Sequence, residues 1–353
     1  MSGDTARTRS ERAISQGEMN ILFTCAGRRV SLLGNFRAAM KELNLSGKLI
    51  ATDITQASPA FHKADLGIKV PPARRIEYIP AIQEIVKQHN VRLLVPLTDL
   101  DLRSLARHRD EFAALGCTVM IGSESAITLC RDKAQTNALI GRAGLATIRT
   151  FTLSEFLAQP FYPCFVKPIS GSASVGTGIM RNEKELRGHV SVFGDLMIIQ
   201  EYVPGAEFTV DVYRQRSGAV RCVVPRQRLQ VRSGEVEKGL TVKDDEMIRC
   251  ATVLAEALPD MWGVFCCQCR RSGNGPPRFF EINPRFGGGA PLSMAAGANL
   301  PLYLLQDVLG LPITAEIGNF TDRLLMLRYD DALFLQVNDD FDQLPGFKAP
   351  SFR

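Results

Sequence analysis

Short apolar runs and helical spacings alternate along the first third of the chain. NILFTC (20–25) leads into Ala26-Gly27-Arg28-Arg29, and apolar positions then fall at Val30, Leu33, Phe36 and Met40, a helix-like spacing. KLIATD (48–53) predicts a strand ending in Asp53, and 76–89 predicts a helix. VRLLVPLTDLD (91–101) and CTVMIG (117–122) predict further strands. Strands that alternate with helices imply a parallel sheet with ligands near the strand C-termini. Ser123 is placed to cap a helix over about 124–142, closed by Gly144 and carrying Arg131, Asp132 and Lys133. FYPCFVKP (161–168) then reads as a strand stopping at Pro168, followed by GSASVGTG (171–178), a strand-like GIM and a helix near 183–190.

The pattern then changes. MIIQEYVPG (197–205), EFTVDVYR (207–214) and AVRCVVPRQRLQV (219–231) predict neighbouring strands, and 244–258 predicts a helix. GVFCCQCR (263–270) and RFFEINP (278–284) predict two more strands, and RLLMLRYDDALFLQV (323–337) strands that return to the sheet. The expectation is a parallel α/β unit followed by a mixed, mostly antiparallel α+β unit, with no internal repeat.

Composition narrows the function classes. No apolar run approaches the ~20 residues of a membrane helix. The first 18 residues are polar, lack the apolar centre of a secretory signal and predict a disordered tail. Net charge is +5 with acids and bases interspersed, too mild for a nucleic-acid footprint and suited to an anionic small molecule. Nine scattered cysteines fit a reduced, cytoplasmic compartment. Cys266, Cys267 and Cys269 invite a zinc reading, but no second ligand pair lies nearby in sequence.

The last two strands carry chemistry. SGNGPP (272–277) is turn chemistry, so the strands read as a hairpin. Glu281 and Asn283 are two apart and share a face. With a loop over 273–276, Gln268 sits opposite Glu281, and Phe280 and Ile282 turn to the core. Three oxygen donors on one face suit Mg²⁺; a hydrogen-bonded polar patch is the alternative. Lys167 ends a strand before the glycine-rich 171–178, where backbone N–H groups can approach phosphates. This is not a P-loop, because the lysine precedes the loop, and CAGRRVSLLG does not match a dinucleotide fingerprint. Glu207, Thr209 and Asp211 share a face of the following strand.

In this order, FVKP with GSASVGTG, QEYVPGAEFTVDV and FFEINPR resemble the ATP-grasp superfamily over roughly residues 20–310, most closely its carbamoyl-phosphate-synthase-like branch. That resemblance implies an ATP-grasp fold: an N-terminal Rossmann-like parallel-sheet domain over 19–122, a linker helix and small lid subdomain over 123–196, and a C-terminal mixed antiparallel domain over 197–337, with a tail over 338–353. It implies ATP and one or two Mg²⁺ as cofactors, with Mn²⁺ able to substitute. Arg131 and Lys133 then resemble groups that reach the nucleotide phosphates. Lys167 resembles the lysine at the α/β-phosphates, and Ser170, Gly171 and Ser172 the start of a mobile lid. Glu201, Tyr202 and Val203 resemble the hinge that reads adenine, and Glu207 the acid that holds the ribose hydroxyls. Gln268, Glu281 and Asn283 resemble the metal ligands, and Arg285 the arginine on the moving phosphoryl group. Arg232 resembles a residue of a segment near the active site; with Arg226 and Arg228 it reads equally as a solvated basic strand.

The implied reaction is ADP-forming ligation of a carboxylate to an amine through an acyl phosphate. A full carbamoyl-phosphate synthase large subunit has two such halves, whereas this chain has room for one, and bicarbonate and biotin machinery is not apparent. A non-catalytic nucleotide sensor is the competing reading. Small-molecule carboxylates and amines are the expected partners, without nucleic acid or membrane, and a homodimer is the common state for such enzymes. Specificity is expected near Gly27–Arg29, Thr98–Asp101 and 226–238. There Arg28 and Arg29 meet either an anion or solvent, and Asp99 and Asp101 either hold an amine or cap the next helix, capping being favoured for at least one of them.

Overall fold

The computed structural model describes residues 18–169, 176–232 and 234–336. The tail expected over 338–353, nearly all of that expected over 1–18, and Ser170, Gly171 and Ser172 lie outside the described residues.

A five-stranded parallel sheet comes first. Its strands are β1 (Asn20–Thr24), β2 (Leu49–Asp53), β3 (Leu66–Lys69), β4 (Val91–Pro96) and β5 (Thr118–Val119), in the order β3-β2-β1-β4-β5. Helices α1 (Val30–Glu42), α2 (Pro59–Lys63), α3 (Tyr78–Gln88), α4 (Leu102–Arg107) and α5 (Arg109–Ala114) connect them. Every residue of β1 is buried, as expected of a central parallel strand covered on both faces. The chain leaves β1 towards β2 and later returns to β4 on its other side, so the β1 and β4 ends form a switch point where such sheets bind ligands.

The single helix expected over 124–142 is two. α6 (Glu124–Arg131) begins at Ser123, whose Oγ accepts from Ala126 N at 3.2 Å. Asp132 then leaves helical geometry and caps α7 (Lys133–Arg142), its carboxylate accepting from the Ala134 and Gln135 amides. An acid that can satisfy two free N–H groups breaks the helix where apolar periodicity alone runs through. The break sets Arg131 and Lys133 on separate helices.

A four-stranded antiparallel sheet follows, in the order β6-β9-β7-β8, from β6 (Thr150–Thr152), β7 (Cys164–Pro168), β8 (Gly178–Met180) and β9 (Met197–Glu201). Helices α8 (Leu153–Ala158) and α9 (Glu183–Phe193) belong to it, with a small core around Phe156, Cys164, Val166, Leu186 and Ile199.

The third sheet runs β14-β13-β10-β11-β12-β15 and is antiparallel throughout. Its strands are β10 (Ala206–Arg214), β11 (Val220–Arg232), β12 (Glu235–Thr241), β13 (Gly263–Arg271), β14 (Arg278–Asn283) and β15 (Leu325–Leu327). Helix α10 (Asp245–Ala257) packs on β10 and β11, and α11 (Ala290–Ala295) and α12 (Leu300–Val308) lie against α1. Of the strands expected over 323–337, only 325–327 joins the sheet, pairing with β12; the rest of the described segment is irregular. The cysteines are free thiols, all buried except the half-buried Cys25, and the described residues hold no cluster of three or more His, Cys, Asp or Glu able to grip a metal. No helix of the described residues is long and apolar enough to cross a membrane.

Candidate functional site

Gln268 faces Glu281 across the β13–β14 pair, as the alternation requires, but the register arrives there by a different route. Near the turn Arg270 pairs with Arg278 and Cys269 with Phe279, and the register then shifts by one residue at Phe280. Such a bulge leaves one residue unpaired and re-aims its neighbours. Phe279 is therefore fully buried, while Phe280 turns to the cavity and not to the core, its ring centroid 5.4 Å from Lys167 Nζ.

A cavity of about 270 Å³ lies between this sheet and the four-stranded one. Gln268, Glu281, Asn283 and Arg285 line one wall, Lys133 and Lys167 another, and Glu201, Tyr202, Val203 and Glu207 its far end. One cavity therefore holds ten of the side chains singled out by sequence. Arg131 does not line it: its Nη1 donates to the Asp99 carbonyl at 2.9 Å. Arg232 is exposed and turned to Asp330 and Glu237, so it stands clear of the cavity. Of Arg226, Arg228 and Arg232, only Arg228 lines the cavity, and Asp99 and Arg270 also face in.

Charge organises the walls. Lys167 is buried, and desolvation pulls its pKa down to about 8 although Glu281 opposes the shift. Lys133 is shifted down for the same reason and is likewise opposed by Glu281. Burial works most strongly against the charge on Arg285, but Asp99, then Cys266 and Glu281, together outweigh that and move its pKa up; Arg285 Nη2 donates to Asp99 Oδ2 and Asn283 Oδ1, both at 3.1 Å. Arg285 Nε is buried with no hydrogen-bond partner among the described residues. Three buried or half-buried cations lining one cavity are costly unless an anion arrives. Gln268, Glu281 and Asn283 supply carbonyl and carboxylate oxygens on the adjoining wall, a donor set that suits Mg²⁺, which takes few protein ligands and bridges to phosphates.

The glycine run beside this wall is set by space. A Cβ on Gly288 would sit 2.6 Å from Glu235 Oε2 and 2.7 Å from Arg29 Nη1, and one on Gly289 would strike Arg226. Arg226 cannot retreat: it is 1% exposed and bidentate on Asp211, which also accepts from Ser293 Oγ. Arg226 and Asp211 are thus neither ligands nor solvated but a buried pair under the glycines. Sequence alone does not flag this pair, although two opposite charges on neighbouring strands are its visible trace.

At the switch point Arg29 reaches across to Glu235 at 3.1 Å, and Arg328 holds the same carboxylate at 3.1 Å, while Arg28 is exposed. Asp101 occupies the N-cap position of α4 but makes no side-chain cap; it is fully buried, accepting from Tyr78 Oη at 2.7 Å. Desolvation raises its pKa. Asp99 meets Arg285 instead, so neither aspartate caps through its side chain.

Three antiparallel or parallel sheets in this order, with a cavity between the second and third lined by lysines, oxygen donors and an arginine, define the ATP-grasp fold. A biotin carboxylase β-γ-ATP complex from Campylobacter jejuni shares it, with a TM-score of 0.69 over 88% of this chain and 75% of that one at 18% identity. A family model described as "ATP-grasp in the biosynthetic pathway with Ter operon" matches residues 193–329, and one described as "PylC-like, N-terminal domain" matches residues 21–120. The chain therefore has the ATP-grasp fold, and its C-terminal part matches an ATP-grasp family model. It is similar to a D-alanine–D-alanine ligase of Haemophilus ducreyi, 32% identical over 28% of this chain and 34% of that protein. It is also similar to a formate-dependent phosphoribosylglycinamide formyltransferase of Bacteroides thetaiotaomicron, 24% identical over 66% of this chain and 64% of that protein. The match therefore spans about a third of the first relative's length and just under two thirds of the second's.

Proposed function

We propose that the chain is an ADP-forming ligase that uses Mg·ATP to activate a substrate carboxylate as an acyl phosphate and passes the acyl group to an amine. The observation that carries this reading is the convergence of Gln268, Glu281 and Asn283 with Lys167 and Arg285 on one cavity. A nucleotide binder has no use for that oxygen-donor wall opposite a buried, half-satisfied arginine. The relatives named as a ligase and a formyltransferase support the reaction class.

In this reading the backbone around Glu201–Val203 and the Glu207 carboxylate hold the base and ribose. Lys133 and Lys167 neutralise the phosphates. Gln268, Glu281 and Asn283 would hold Mg²⁺, which offsets charge on the transferring phosphoryl group when bound. Arg285, which lines the same cavity, meets the carboxylate and phosphoryl oxygens with its guanidinium charge and places them for in-line transfer; the amine then displaces phosphate. Such catalysis is mainly positioning and electrostatic stabilisation, with no covalent enzyme nucleophile. The domain boundaries at 122, 196 and 337 and a homodimer, testable by light scattering, belong to the same proposal.

The test is a screen of amino-acid pairs, with bicarbonate among the carboxylates, for ADP release, with mass spectrometry of the product. The expected result is release that needs both a carboxylate and an amine. Calorimetric binding of Mg·ATP with no turnover across the screen would replace the ligase by a nucleotide sensor.

A further inference from the structure

Glu207 does not stand alone at the far end of the cavity. Arg228 Nε approaches one carboxylate oxygen at 3.1 Å and Arg270 Nη2 donates to the other at 2.9 Å. Arg270 also reaches back to the chain that precedes Glu207: its Nη1 is 3.4 Å from both the Val203 and the Gly205 carbonyls. One planar guanidinium thus joins three points of a five-residue segment, a geometry that a fork of fixed donors can meet and a lysine cannot. The segment needs such a tie. Gly205 has φ +103°, and a Cβ there would sit 2.1 Å from the Arg271 carbonyl oxygen, so the turn runs against the β13 backbone where only glycine fits.

We infer that Arg270 is a positioning residue that fixes the Glu207 carboxylate relative to the 203–205 backbone, and so sets how strongly the protein distinguishes a ribose from a deoxyribose. This rests on the proposed nucleotide site. Arg270 takes one acceptor direction of Glu207 by a hydrogen bond, whereas Arg228 Nε stands 3.1 Å from the other oxygen without hydrogen-bond geometry, so Arg270 decides where the carboxylate can accept a hydroxyl. Arg228 gives the variant a safeguard: with Arg270 removed, Glu207 still has a cationic partner and is not left as an unpaired charge.

The experiment is calorimetry with Mg·ADP and Mg·2′-deoxy-ADP, which needs no knowledge of the acceptor substrates. The wild type is expected to favour Mg·ADP by about tenfold or more, the size of one hydrogen bond to a charged group. In Arg270→Met that preference should fall towards one and Mg·ADP should bind ~10–100-fold more weakly, with thermal melting in the absence of nucleotide confirming the fold. Arg270→Lys should restore binding in part but not the preference. An unchanged ribose preference in folded Arg270→Met overturns the inference while leaving the ligase reading standing. A wild type that binds neither nucleotide overturns the ligase reading itself and this inference with it. Should neither variant fold, amide exchange of wild-type residues 203–207 decides: Mg·ADP must protect them more than Mg·2′-deoxy-ADP, and equal protection overturns the inference.

Discussion

Glu281 and Lys167 face each other across the cavity, and each makes a separate claim. Glu281→Ala is expected to leave the fold intact and lower ADP release by about 10²–10³, the usual cost of one lost electrostatic contact in a transition state; near-wild-type turnover with the true substrates would remove Glu281 from the metal wall. Lys167 has its pKa lowered from 10.5 to about 8 by burial. Phosphate favours the ammonium form, so above pH about 8 nucleotide binding must take up a proton and weaken as pH rises. Calorimetry in buffers of different ionisation enthalpy reads that uptake directly. The stability sign is opposite: the buried charge destabilises the empty protein below pH about 8, and the cost fades as pH climbs towards 10.5. Lys167→Met should therefore raise the free energy of unfolding, read by chemical denaturation at neutral pH, by roughly 3 kcal/mol or less, while it loses nucleotide.

The hairpin β13–β14 and the glycine run show how elements set these residues. The face shared by Glu281 and Asn283 was legible, because alternation is a property of any strand. The bulge at Phe280 was not, since it depends on how the turn and the sheet compete for register; it reverses the roles of Phe279 and Phe280. The break at Asp132 was hidden for a similar reason, as the capping geometry adds little to the apolar period. The neighbours of Gly288 and Gly289 leave no room for a side chain, which no local pattern shows. Gly289→Ala should cost about 1–3 kcal/mol through overpacking on Arg226, measured by chemical denaturation; a neutral result would mean that the Arg226–Asp211 pair can shift.

At the scale of the whole molecule, Arg29 from the parallel sheet and Arg328 from beyond β15 meet on Glu235 at the start of β12. Burial alone would raise the Glu235 pKa, but Arg29 and then Arg328 outweigh it and hold the carboxyl below its ordinary value. A depressed carboxylate contributes stability above its unfolded pKa and loses it as pH falls through the folded value. Glu235→Gln should therefore lower the melting temperature at neutral pH and shrink the acid-side loss of stability, seen by comparing melting curves down through the carboxylate range; an unchanged acid limb would mean that the clasp contributes nothing. Arg29 alone left anion or solvent open as its partner, because that partner lies 206 positions further along the chain. By itself the sequence determined the strand and helix periods, a parallel unit ahead of a mostly antiparallel one, and the chemical types along FFEINPR, since these follow from local alternation and composition. Only the tertiary structure decided which charges meet: Arg226 with Asp211, Arg285 with Asp99, Arg29 with Glu235, and Arg228 rather than Arg232 in the cavity. Side-chain pairing between distant segments depends on register, bulges and packing distance, and no local pattern encodes those.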